Sequence, residues 1–218
     1  MTPAALSAYC RRTMDASAIA FPIAFLLFLG VLFLSMRKMF LVDASLDTWA
    51  QELGLRRDED LLEGVIRSVP VRIALERDDT DSETRRILVV SADIPWELPE
   101  SFTAAPRRTT TWIEQNLADD LIRSGNAALD GEFVFQSGEP EKGQRLVEDP
   151  RVQRALGRLI VPPKAGYVKK GRTHLAYRDV GRSTEQLRKD LDVVVDAALV
   201  FAEVCSHLDS TSRKKHPG

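Results

Sequence analysis

The sequence predicts an α+β fold: a largely antiparallel sheet packed by helices and preceded by one N-terminal transmembrane helix. Three observations predict it. Residues 18–36, AIAFPIAFLLFLGVLFLSM, contain no charged side chain and stop at Arg37-Lys38. Segments of alternating apolar and polar residues, joined by two-residue turns, recur between 61 and 94 and again between 167 and 177. The chain then closes with a long amphipathic stretch that opens on a capping signal at Ser183.

The apolar run is long enough to act as an anchor. At about 1.5 Å of rise per residue it reaches roughly 28 Å, close to the roughly 30 Å of a bilayer's hydrocarbon core. Pro22 falls in its first turn, where a missing amide costs no intrahelical bond. A cleaved signal peptide ending near Val42 and Ala44 is the competing reading, but the run exceeds the usual h-region of about 7 to 15 residues. A buried core helix would carry a polar stripe, which this run lacks. Cys10 precedes the run, so it is not a lipoprotein cysteine. Arg11-Arg12 on one flank oppose Arg37-Lys38 on the other; the second pair stands directly at the interface, which favours a cytoplasmic domain. The expected organisation is a lead-in over 1–17, the anchor over 18–36, a linker over 37–45, a soluble domain over 46–208 and a basic, disordered tail over 209–218.

Beyond the anchor, Leu46, Trp49, Ala50 and Leu53 share one face of a short helix, with Ser45 as N-cap and Gly54 just past its end. Leu61–Ile66 and Val69–Arg77 read as strands separated by Arg67-Ser68, with Pro70 restricted to a strand start or an edge. Arg85–Ile94, apolar on both faces through Ile87–Val90, reads as a central strand of the same meander, and Phe102–Arg108 as a fourth. Thr111–Arg123 fits a helix stopped by Ser124-Gly125-Asn126, and Phe133–Gln136 a short strand between turns at Asp130-Gly131 and Ser137-Gly138. Asp149-Pro150 starts a helix whose apolar face is Val152, Ala155, Leu156, Leu159 and Ile160. Tyr167–Lys169 and Thr173–Tyr177 form a hairpin around Lys170-Gly171. Ser183 and Gln186 have capping-box spacing, and Leu187, Leu191, Val194, Ala198, Phe201 and Cys205 mark a helix to about Leu208 that covers one face of the sheet.

The chemistry-bearing residues do not converge. Thirty basic and 32 acidic residues nearly cancel without forming a block, so the sequence carries no footprint for nucleic acid. Its one basic cluster, Arg213-Lys214-Lys215-His216, reads as a solvated end or as a segment that touches anionic lipid. Cys10 and Cys205 flank the span and cannot pair within one chain. The three histidines, His174, His207 and His216, lack the close ligand spacing of a zinc site. Cys205 with His174 is the sole thiol–imidazole pair conceivable in the domain, but Cys205 lies on an apolar helix stripe and reads as a small core residue. Asp78-Asp79 with Asp81 resembles part of a calcium loop but has Glu83 where glycine is required. Asp119-Asp120 reads as a solvated pair, and Trp96 and Trp112 as packing caps or the lining of a groove. No glycine-rich phosphate loop or G-x-S-x-G elbow occurs. No catalytic, cofactor-binding or metal residue is therefore assigned.

Leu53-Gly54-Leu55, Leu62-Glu63-Gly64, Val69-Pro70-Val71, Leu98-Pro99 and Leu129–Val134, in that order before a long helix, resemble uncharacterised membrane-anchored proteins of bacteria, especially of the myxobacterial kind. That resemblance implies a single-pass membrane protein and supplies no activity. The expectation is a non-catalytic binding or assembly module at the inner membrane, with the lipid bilayer as one partner through 18–36 and a protein as another. The alternatives are a membrane-tethered hydrolase with an unrecognised carboxylate site and a small-ligand sensor domain.

Overall fold

The structure, a computed structural model, describes residues 45–78, 85–107, 121–160, 165–177 and 181–215. The chain divides into two compact units, 1–45 and 46–218. The lead-in, the expected anchor over 18–36 and the linker lie outside the described residues except for Ser45. Among the described residues no helix is long and apolar enough to cross a membrane.

Unit 46–218 is an α+β domain built on an antiparallel sheet. Its strands are β1 (Arg56–Asp58), β2 (Leu61–Ile66), β3 (Val69–Asp78), β4 (Arg85–Asp93), β5 (Thr103–Pro106), β6 (Leu121–Ile122), β7 (Phe133–Gln136), β8 (Ala165–Lys169) and β9 (Arg172–Tyr177). They lie in the order β1-β2-β3-β4-β9-β8-β5-β7-β6, and every ladder is antiparallel. The helices are α1 (45–53), α2 (Ala127–Glu132), α3 (Pro140–Glu148), α4 (Pro150–Leu159) and α5 (Thr184–Lys215).

The meander β1 to β4 follows from local signals. Ile66 pairs with Val69 across Arg67 and Ser68, whose φ values of 50° and 66° are the left-handed pair a two-residue hairpin loop needs. Neither residue is glycine, so the neighbouring ladder must hold this turn against its steric cost. In β3, Val69, Val71 and Ile73 are buried while Pro70 and Glu76 are exposed, as alternation requires. Pro70 has a partner in β2 but none in β4, which keeps its missing amide at the start of the strand. β4 is buried from Leu88 to Ala92 and lies between β3 and β9.

One face of the sheet carries the core. The stripe Leu187, Leu191, Val194, Ala198, Phe201 and Cys205 of α5 is buried with Ile73, Leu88, Val90 and Leu175 in a single hydrophobic cluster. Each large side chain fully buried there stabilises the fold by about 1.5–3 kcal/mol. Thr173 Oγ1 donates to Val194 O at 2.8 Å, so a buried hydroxyl ties β9 to the middle of α5. The capping box forms: Gln186 N donates to Ser183 Oγ at 3.3 Å and Ser183 N to Gln186 Oε1 at 3.2 Å. Asp149 caps α4 by accepting from Arg151 N, and the hydrogen bond from the Arg151 side chain holds its carboxyl below the usual range. Two glycines set the spacing of the layers. A Cβ on Gly166 of β8 would lie 2.3 Å from Leu159 O of α4, and one on Gly143 of α3 would lie 2.5 Å from Ser137 Cβ. Beside α5, α1 ends at Gly54 (φ 67°), and Arg188 of α5 donates to Glu52 O at 3.0 Å.

Five expectations require correction. β5 does not extend the meander next to β4; β9 takes that place, and β5 lies between β8 and β7. Leu121 and Ile122 are extended, not helical, because pairing with Gln136 and Phe135 buries Ile122 under α3, while the remainder of the expected helix, 108–120, lies outside the described residues. Ser124-Gly125-Asn126 does not stop a helix but starts one: Asn126 accepts from Ala128 N and Leu129 N as the N-cap of α2, which absorbs Asp130-Gly131. Finally, α5 continues past Leu208 to Lys215, into the stretch expected to be a disordered tail, as its 3.6-residue ladder continues beyond the last stripe residue. Ser45, the expected cap of α1, already lies within the helix.

Candidate functional site

The sheet separates the two residues that sequence reasoning could pair. Thr173, Leu175 and Tyr177 of β9 face α5, so His174 between them faces away from the described helices, beside its cross-strand neighbours Ser91 and Tyr167. There its ring stacks on Tyr167 at 4.4 Å with 8° between the planes. Burial keeps His174 neutral, lowering its pKa to about 4, and raises that of Tyr167 to about 12. Cys205 lies on the core side, where burial pushes its thiol up to about 12. A nucleophile needs its base within hydrogen-bond reach and a populated thiolate; Cys205 has neither in His174.

The remaining histidine of the described residues, His207, lies on the exposed side of α5 with Nε2 3.9 Å from Glu203. Among the described residues, no group of three His, Cys, Asp or Glu side chains could hold a metal ion. Asp79, Asp81, Asp119, Asp120, Trp112 and His216 lie outside the described residues.

One buried ionic cluster was not assigned from the sequence. Asp190 is 1 % exposed and accepts from Arg182 Nη2 at 2.8 Å, while the Arg182 guanidinium lies 4.3 Å over the Tyr177 ring. Burial first, and then the neighbouring Asp190 carboxylate, raise the Tyr177 hydroxyl pKa. The cluster clamps the start of α5 to the end of β9. A signal for it was present: Asp190 sits three residues after Leu187 and four before Val194, so a carboxylate interrupts the apolar stripe and needs a buried partner.

The concave surfaces lie elsewhere. A cleft of about 890 Å³ opens at the β6 end of the sheet, with Leu121, Ile122, Phe133 and Phe135 along it and Arg107 and Arg123 at its rim. Arg107 donates to Asp130 O from Nε and Nη2 at 3.2 and 2.9 Å, fastening the end of β5 to α2. A shallow groove of about 600 Å³ runs between the 96–103 loop and the β8–β9 turn, lined by Trp96, Leu98, Gln136, Lys169 and Lys170 among others. Trp96 lies on this groove. Its Nε1 donates to the Asp209 carboxylate of α5 at 3.1 Å, while 46 % of its surface remains exposed. Ile94 N donates to Gly171 O at 2.8 Å and Gly138 N to Glu100 O at 2.7 Å, so the loop is tied at both ends and the groove is preformed.

No protein-family model matches the sequence, and no curated protein matches it. Among solved structures the chain is similar to the mycobacterial trehalose monomycolate transport factor A, at 12 % identity and a TM-score of 0.47 over 75 % of this chain and 93 % of that one.

Proposed function

We propose that this chain is a single-pass inner-membrane protein, held by a helix over 18–36, whose α+β domain is a non-catalytic binding or assembly module. Its partner is a protein or an envelope or lipid component met at the membrane surface. The basic residues number two on each flank, and the pair standing directly at the interface, Arg37-Lys38, favours a cytoplasmic domain. The resemblance to membrane-anchored bacterial proteins supports the anchor.

The observation that carries this reading is a separation. An enzyme with a carboxylate site aims perturbed ionisable groups into a concave, water-excluding pocket. Here Asp190, the carboxylate buried deepest among the described residues, is held by Arg182 and lines neither large cleft. Asp130, at the larger cleft, spends Oδ1 accepting from Ser124 N and Oγ at 2.8 Å each.

Two experiments test the reading. A reporter fused at residue 218 reads the compartment, and activity of a cytoplasmic reporter is expected. A pull-down from detergent-solubilised membranes is expected to return a reproducible partner. Failure to find one, together with measured turnover of a cell-wall or lipid substrate, overturns the module in favour of the hydrolase. Release of the chain by carbonate overturns the anchor.

A further inference from the structure

The two ends of the sheet are finished differently. β1 consists of Arg56, Arg57 and Asp58, so a strand adding there would meet three consecutive charged residues. β6, the strand at the other end, consists of Leu121 and Ile122; it has no charge to discourage a further strand, and Leu121 is 36 % exposed. Among the described residues no strand pairs beyond it. A side chain stands there instead. Arg123, the residue that follows β6, donates from its backbone N to Gln144 Oε1 at 3.3 Å and accepts from Gln144 Nε2 at its backbone O at 2.6 Å. A neighbouring antiparallel strand makes the same exchange, since two residues of a hydrogen-bonded pair give and take both bonds. Gln144 Nε2 also donates to Glu148 Oε1 at 2.6 Å, one turn further along α3. An amide bonded through its oxygen and both N–H groups has a fixed orientation. Gly143 brings the helix close enough for this: a Cβ there would fall 2.9 Å from Ile122 Cδ1, and Gln144 reaches the edge from the next position.

We propose that Gln144 is a surrogate strand, its amide holding the β6 edge closed against pairing with a second copy of this chain. An open strand edge is a template for another chain, and a second copy carries the identical edge, so two β6 strands are self-complementary in the antiparallel sense. To pair there, a copy must first displace the Gln144 amide from both bonds. Each bond counts for roughly fivefold in an equilibrium constant, so the amide weakens edge pairing by about thirty-fold. The amide is tethered beside the edge, whereas a second copy must be supplied by concentration. The inference depends neither on the anchored reading above nor on the domain being non-catalytic.

The test compares the detergent-solubilised full chain with Gln144→Ala, Gln144→Lys and Glu148→Ala. Mass by light scattering across concentration reads self-association, and hydrogen exchange at the amides of 121–123 reads the edge itself. Gln144→Ala is expected to exchange faster than wild type at 121–123 when dilute, to associate about thirty-fold more tightly, and to regain protection at 121–123 as it does so. Gln144→Lys also loses the reciprocal pair but sets a charge at the edge, and is expected to keep the wild-type mass. Glu148→Ala alters an exposed residue and leaves Gln144 in place. It is expected to shift association in the same direction by less, and it carries the test if the Gln144 variants unfold. Association of Gln144→Ala no tighter than that of wild type overturns the proposal. So does equal association of the Ala and Lys variants, or association that leaves 121–123 unprotected, because either assigns it to another surface. A wild type whose 121–123 amides gain protection as concentration rises overturns it as well, since its edge is then not closed.

Discussion

Substituting Asp190 by Asn probes the buried Arg182–Asp190 cluster. In the wild type the Asp190 carboxylate neutralises Arg182 at 2.8 Å, and the guanidinium also lies 4.3 Å from the centroid of the Tyr177 ring. The amide keeps the shape but removes the negative charge, stranding a cation whose side chain is 16 % exposed. Breaking a buried pair by removing one partner costs about 3–5 kcal/mol, and the solvent reached by Arg182 places this case near the lower bound, about 3 kcal/mol. In a domain of this size that corresponds to a fall in Tm of roughly 6–12 °C. The assay is thermal unfolding of the detergent-solubilised chain for Asp190→Asn, Arg182→Met and the double variant Arg182→Met/Asp190→Leu. The double variant should recover much of the loss, because it leaves no uncompensated charge in the core. A Tm for Asp190→Asn within about 2 °C of wild type refutes the argument that this pair clamps β9 to α5. So does a double variant that simply adds the two single losses.

Other perturbations follow from the same structure. Gly166→Ala should destabilise by about 1–3 kcal/mol through overpacking, since its Cβ would fall 2.3 Å from Leu159 O, whereas Gly157→Ala, with open space around it, should not; comparing their Tm values checks this. His174 has a folded pKa lowered by burial to about 4 from 6.5, so the folded state binds fewer protons than the unfolded state between those values. Its contribution is therefore complete above pH 6.5 and lost as pH falls towards 4, by roughly 3 kcal/mol, and unfolding midpoints measured across that window should flatten in His174→Gln. Cys205, buried with its thiol pushed up to about 12, should resist alkylation at pH 8 in the folded protein and react at once in denaturant. Rapid labelling of the native chain at Cys205, resolved from Cys10 by peptide mapping, would contradict its place in the core.

What proved legible in the sequence is what short-range physics specifies. Ser183 and Gln186 satisfy each other's backbone three residues apart, Asp149-Pro150 opens α4, and Arg67-Ser68 and Lys170-Gly171 close two-residue hairpins between strands of clear alternation. None of these needs a distant partner, so periodicity and capping chemistry suffice. The elements misread are those too short to be stable alone. β1 and β6 have three and two residues and exist because Leu62 and Phe135 offer a ladder; α2 exists because Asn126 caps it and Phe133 N–H bonds back to Leu129 O.

By itself the sequence determined a chain with an apolar run of spanning length and an α+β domain. Only tertiary structure decided that β9 inserts beside β4 and that β5 is flanked by β7 and β8. The same holds for His174 and Cys205 being on opposite faces, for Asp190 finding Arg182, and for Trp96 meeting Lys169 and Lys170. The physical reason is that a strand's hydrogen-bonding edge is the same whatever its neighbour's distance in sequence. Which strands pair is settled by the fit of their buried faces against one long helix, and no local signal records that fit.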